Sequence, residues 1–136
     1  MSQENHALRF CLIMTTLAVP LVGRAQDSDF LTELNQAREA MLDEPAKGYY
    51  EGPFYKAFYS QFSGWLNQCT QQTGRRLPNL DLILGLDPQG KVSRLRIRPE
   101  SDLTECFAAH VRKEQFPTPP SGALRVPVSI RMTEEH

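Results

Sequence analysis

The sequence is poor in features that would decide its class at once. Among 136 residues there are three cysteines, three histidines and one tryptophan, and the net charge is -1. A balance so near neutrality excludes a general polyanion binder, because nucleic-acid domains carry a basic excess. Three cysteines exclude a knottin, and ten prolines with eight glycines exclude collagen and low-complexity chains. No internal repeat occurs. No phosphate-binding glycine loop, heme-attachment motif or metalloprotease helix is present. The longest apolar run, Phe10 to Val22, has 13 residues. That is short of the roughly 20 a membrane-spanning helix needs.

That run has another reading. Arg9 precedes it, Pro20 lies near its end, and Gly23 and Ala25 put small residues at the -3 and -1 positions of a cleavage site before Gln26. Residues 1–25 therefore read as a secretory signal peptide, and the expectation is a periplasmic or secreted protein without a permanent membrane anchor. The alternative is an uncleaved anchor. Cleavage removes Cys11 and leaves Cys69 and Cys106. An even count in an exported chain reads as a disulfide, closing a loop of about 38 residues worth roughly 4 kcal/mol in the chain-entropy model. The alternative is two buried free thiols. These cysteines and His110 match no zinc spacing, so no metal site is expected.

The chain, 40% hydrophobic and 23% charged, is globular in composition. Residues 28–42 read as a helix, with Ser28 as N-cap, Asp29 in the first turn and Phe30, Leu34, Ala37 and Met41 on one stripe. Residues 43–53, with two prolines and two glycines, read as a loop. Pro53 opens a second helix near 54–72, on which Phe54, Phe58, Phe62, Trp65, Leu66 and Cys69 recur at helical spacing. Eight of the twelve aromatic residues lie between Tyr49 and Trp65, which suits a core-facing helix or a sugar-stacking platform. Leu80 to Leu86 alternates as a strand. Asp87-Pro-Gln-Gly90 forms a turn, and Val92 to Arg98 returns with a mismatch of parity that calls for a bulge or a register adjustment near Ser93. A third helix spans 102–114, and Val126, Val128, Ile130 and Met132 mark a last strand. The fold class is α+β, in the order α-α-β-β-α-β. The most apolar strand, the first, is expected at the centre of the sheet.

Between Trp65 and Met132 stand Cys69 before the sheet, Leu-Asp-Pro-Gln-Gly-Lys-Val at 86–92, Ser101 and Leu103 leading to Cys106, Phe116-Pro-Thr-Pro119, Gly122 and the Val126-Pro127 pair. In this order the segment resembles the TonB-type C-terminal fold, in the AgmX/PglI C-terminal branch, and also the C-terminal domain of TolA. The resemblance implies a division into a signal peptide (1–25), an N-terminal helix and loop (26–52) and a TonB-like domain (53–136). It implies a three-stranded antiparallel sheet with helices packed on one face, and a non-catalytic, cofactor-free module that contacts an envelope protein by strand addition along the third strand. Pro127 lacks an N–H, which directs a partner strand to Arg125, Ser129 and Arg131.

Two further sets of residues invite function. Arg94, Arg96 and Arg98 alternate along the second strand and, with Arg125 and Arg131, point away from the leucine face. They are candidates to hold carboxylates or phosphates of an envelope ligand, or a solubilising, edge-protecting surface. Residues 26–60 hold seven acidic and three basic side chains, whereas 75–131 hold ten basic and six acidic. The acidic first helix thus either sits near the arginine face or is solvated. Ser101, Asp102 and His110 are the only grouping that suggests a hydrolase, and helix capping accounts better for the first two. Terminal sequencing of the exported protein is expected to begin at Gln26. A start at Met1 or Ser2 in envelope fractions would favour the anchored alternative.

Overall fold

Leucine at every second position from Leu80 to Leu86 gives one face of a strand a continuous apolar surface, and the structure is built around it. The computed structural model of the chain describes residues 22–132, with side chains from residue 28. The signal peptide expected at 1–25 lies almost wholly outside that range. Strand β1 (Leu80–Leu86) pairs antiparallel with β2 (Val92–Arg98) on one side and β3 (Leu124–Ile130) on the other, in the order β2-β1-β3. The fold is α+β, and the order of helices and strands is the one expected.

The hairpin between β1 and β2 is fixed by its turn residues. Asp87 Oδ1 accepts hydrogen bonds from the backbone of Gln89 and Lys91, each at 2.9 Å. Gly90 has φ +87, and its backbone carbonyl accepts from Phe116 N at 3.0 Å. Where β2 begins, Gly85 pairs with Arg94 and Leu86 with Val92, so Ser93 is the extra residue of a bulge. Its hydroxyl donates to Gly85 O at 3.0 Å. Two runs of apolar residues of unequal parity force this: the bulge lets Val92 and Leu95 both meet the core.

Against the leucine face pack helix α3 (Tyr55–Thr73) and helix α4 (Asp102–Arg112). Phe58, Trp65, Phe107 and Phe116 interlock there in edge-on and offset contacts at 5.5–6.5 Å. Ser101 caps α4 as its sequence suggests. Its hydroxyl accepts from Thr104 N, and Thr104 Oγ1 accepts from Ser101 N, in a reciprocal capping box. The aromatic segment is therefore mostly core, with Tyr55 and Tyr59 exposed and their rings in tilted contact, centroids 4.5 Å apart. A disulfide joins Cys69 near the end of α3 to Cys106 on α4, with a Cα separation of 5.7 Å.

Three expectations need correction. Helix α1 (Val22–Ala40) begins before Ser28, which therefore does not cap it. Residues 46–54 are helical rather than a loop: helix α2 (Ala46–Tyr49) runs into a π-helical turn (Tyr50–Phe54) and then α3. Pro53 sits inside that turn rather than at the first position of a helix. A π turn accommodates it because the wider hydrogen-bond spacing relieves the clash that a proline ring makes in a regular helix. Finally, the helices do not share one face of the sheet. α1 lies on the opposite face, where Phe30 and Leu34 bury Ile83. Ile83 is the one large aliphatic residue on that face of β1. It supplies the apolar contact without which a helix would have no reason to dock on a row of arginines.

The bridge closes a loop with a sequence separation of 37 residues. Cys106→Ser is expected to lower the unfolding free energy by about 2–5 kcal/mol, read from urea denaturation. Alkylation of the native protein without reductant should label neither Cys69 nor Cys106. Labelling of both would show the bridge to be wrong.

Candidate functional site

The five arginines predicted to share a face do so, but most are engaged rather than free. Glu33 sits one position off the Phe30–Leu34–Ala37 stripe of α1, so docking of the helix carries its carboxylate down onto the sheet, where it is 8% exposed. There it meets the Arg96 guanidinium in a close ion pair and lies 3.5 Å from Arg94 and 3.8 Å from Arg125. Arg96 also reaches Asp29 at 3.4 Å. The Phe30 ring lies under two guanidinium groups, Arg96 at 5.3 Å and Arg98 at 5.4 Å from its centroid, a cation–π arrangement. Arg98 pairs with Glu100 at 2.7 Å. Of the expected anion-binding trio, Arg96 is thus committed to holding α1, Arg98 is paired, and Arg94 is the most exposed, at 62%.

A second polar knot closes the other end of this layer. Asp81 Oδ1 accepts from the Ser129 hydroxyl at 2.6 Å and from Arg131 at 2.9 Å. Arg38 of α1 donates to Ser129 Oγ at 2.7 Å. Two clefts flank α1. One, of about 560 Å³, is bordered by Phe30, Leu31, Asp81, Arg98, Pro99 and Arg131. The other, of about 340 Å³, is bordered by Ala37, Gly85, Ser93, Arg94 and Arg125 among others.

The partner edge predicted on β3 also takes definite form. The Tyr50 hydroxyl donates to Pro127 O at 2.7 Å, so the Pro127 carbonyl faces the open side of the sheet. In an antiparallel ladder a residue's N–H and C=O point the same way. Proline is thus tolerated here because its missing donor would have faced outward. By the same alternation Arg125 and Ser129 present their backbone groups outward. The Arg131 side chain is engaged elsewhere. It lies past the end of β3, and its guanidinium turns back to Leu80 O at 3.0 Å as well as to Asp81. The π turn positions Tyr50 for this contact and places Tyr49 to donate to Pro117 O at 2.7 Å. Burial pushes the Tyr49 hydroxyl up to about 12 and raises that of Tyr50, the latter with help from neighbouring Tyr59. Both therefore remain donors well into the alkaline range. On the opposite edge, Arg98 donates to Ile97 O at 3.1 Å.

Ser101 and Asp102 belong to the N-terminus of α4 and form no triad with His110. His110 instead lies one turn beyond Cys106, and the donor atoms of Cys69, Cys106 and His110 all fall within 4.8 Å of one another. The sequence spacing does not show this proximity, because Cys69 stands on α3, 37 residues before Cys106 on α4.

Glu33, Tyr50 and Asp81 were not singled out from the sequence. For Glu33 a signal existed: it stands three residues after Phe30 and four before Ala37, on the face that packs. Nothing local marks Tyr50, whose acceptor is 77 residues away. Comparison of the chain with protein-family models, characterised proteins and solved structures finds no match. Among the described residues, no helix is long and apolar enough to cross a membrane.

Glu33→Ala should cost about 1.5–3 kcal/mol, the usual range for a hydrogen bond to a charged group, because it strands the Arg96 guanidinium under α1. Arg94→Ala should change stability by less than about 0.5 kcal/mol. Equal effects in urea unfolding would contradict the central place given to the Glu33–Arg96 pair.

Proposed function

We propose that the protein is a non-catalytic interaction module of the cell envelope, of the TonB/TolA C-terminal type, that takes up an extended segment of a partner protein along β3. The observation that carries this reading is the open side of β3, where Arg125 and Ser129 direct backbone groups outward on either side of Pro127. Strand addition supplies affinity through exactly such groups. Tyr50 occupies the one acceptor between them, so a partner strand either replaces that hydroxyl or pairs beyond it. The edge is thereby guarded against indiscriminate pairing, as native edge strands are. The Cys69–Cys106 bridge suits an oxidising compartment, in keeping with the export read from residues 1–25.

A second reading, a binder of anionic envelope ligands or glycans, is favoured by the charges around the smaller cleft. Arg94 and Arg125 both lean on Glu33, whose carboxylate is already paired with Arg96. That leaves positive charge in excess at Arg94 and Arg125 rather than across Arg94, Arg96 and Arg98. Exposed arginine contacts to phosphate or sugar acids weaken at high ionic strength, whereas backbone pairing does not.

The test is site-specific photo-crosslinking in intact cells from positions 125 and 129, with position 76 as control, followed by binding of the captured partner to purified variants. Ser129→Pro should remain folded by circular dichroism and weaken binding at least tenfold, and Tyr50→Phe should strengthen it by freeing Pro127 O. A folded Ser129→Pro variant that binds as tightly as wild type would overturn edge pairing. Loss of binding in Arg94→Ala/Arg125→Ala at low salt would favour the second reading.

A further inference from the structure

Cys69, Cys106 and His110 form the one cluster of soft and borderline ligands among the described residues, and neither docking surface uses it. Cys69 is fully buried at the α3 end of the interface, whereas Cys106 and His110 are half-exposed on one face of α4. Zinc takes thiolate at about 2.3 Å and imidazole nitrogen at about 2.0–2.1 Å in a tetrahedron. That geometry sets neighbouring donors roughly 3.5–3.8 Å apart. In the bridged state the two sulfurs are bonded to each other and a ring nitrogen of His110 lies within 4.8 Å of both. Once that bond is broken the sulfurs must part to the tetrahedral spacing, and Cys106, less buried than Cys69, is the side chain with room to turn. Gln72 Oε1, 3.5 Å from Cys106 Sγ, stands beside the outer position, where it or a water completes the set.

We propose that, once the disulfide is reduced, Cys69, Cys106 and His110 bind a borderline-soft divalent cation such as Zn²⁺. The same two sulfurs either bond each other or hold the ion, so the site is gated by the redox state of the bridge. In the envelope a dithiol is the reductant. Its two thiols become a disulfide, and two electrons and two protons pass to Cys69 and Cys106. Zn²⁺ then displaces both thiol protons to solvent, and neutral His110 adds a lone pair. Two thiolates and one imidazole match the donor preference of Zn²⁺ over Mg²⁺ or Ca²⁺, which favour oxygen. The ion re-links α3 to α4, restoring the tether lost on reduction.

The experiment uses the mature chain, reduced under argon with a phosphine that leaves no competing thiol, and titrated with Co²⁺ and then Zn²⁺. The expected result is one equivalent of Co²⁺ per chain, with a thiolate charge-transfer band and the strong d–d absorption of a tetrahedral site, abolished by Zn²⁺. Oxidised protein should bind none. Reduction alone should lower the thermal midpoint, and Zn²⁺ should raise it again, or restore the fold if the reduced chain has lost it. His110→Ala should weaken binding by at least about tenfold, the loss that follows even from removing an outer partner of a ligand. His110→Cys should retain binding. The proposal is overturned if the reduced chain shows no tetrahedral Co²⁺ spectrum and no recovery of stability with Zn²⁺, or if His110→Ala binds as tightly as wild type.

Discussion

Everything in this molecule leans on a central strand that has no free side. β1 is paired along both edges and covered on both faces, and Leu82, Ile83 and Leu84 are all at most 2% exposed. Burial of that kind demands that every backbone donor and acceptor be satisfied by a neighbouring strand, since an unpaired polar group removed from water costs several kcal/mol in an apolar medium. It also demands two different covers. The leucine face receives the aromatic helix α3 and the short amphipathic α4. The opposite face, with one isoleucine among arginines, receives a helix that brings its own carboxylate.

The difference between the two covers is chemical. On the leucine face the contacts are apolar and gain from the hydrophobic effect with little directional demand. On the other face Phe30 and Leu34 supply only a small apolar centre, and the orientation of α1 is set by Glu33 with Arg96 and by Arg38 with Ser129 and Asp81. A buried ion pair contributes modestly to net stability while being costly to break from one side. The layer is therefore better suited to fixing the position of α1 than to adding much stability.

Regular alternation and helical periodicity were legible wherever the solvent boundary coincided with the repeat. β1 and β2 follow their hydrophobic pattern residue for residue, the bulge follows from the parity mismatch at Ser93, and the Ser101 cap follows from its place before Asp102. Legibility failed where a local rule was overridden by distant contacts. Pro45, Gly48, Gly52 and Pro53 carry the composition of a loop, yet the segment is wound into helix and π turn because Tyr49, Tyr50 and Phe54 gain burial and the two tyrosine hydroxyls find carbonyls at Pro117 and Pro127. The arginine face was legible as a face, and the acidity of the first helix left its docking there as one of two readings, since a row of charges reads the same whether water or a helix lies over it. The edge of β3 was placed by the parity of Pro127, but its guard, Tyr50, comes from the far side of the sequence.

Gly90 illustrates how uneven the tolerance of such a fold to change must be. Pro88 and Gln89, at the tip of the same turn, are exposed, and Gln89 makes its hydrogen bonds to Asp87 and Gln115 through its backbone, whereas a Cβ at position 90 would stand 2.2 Å from Phe116 O and 2.9 Å from Pro117 O. The hairpin tip and the segment leaving α4 are pressed together there, backbone to backbone, leaving no flexible group to yield. Random substitution along this surface turn would therefore give a sharp profile: two permissive positions followed by one at which no other amino acid can be accommodated without separating the hairpin from Phe116.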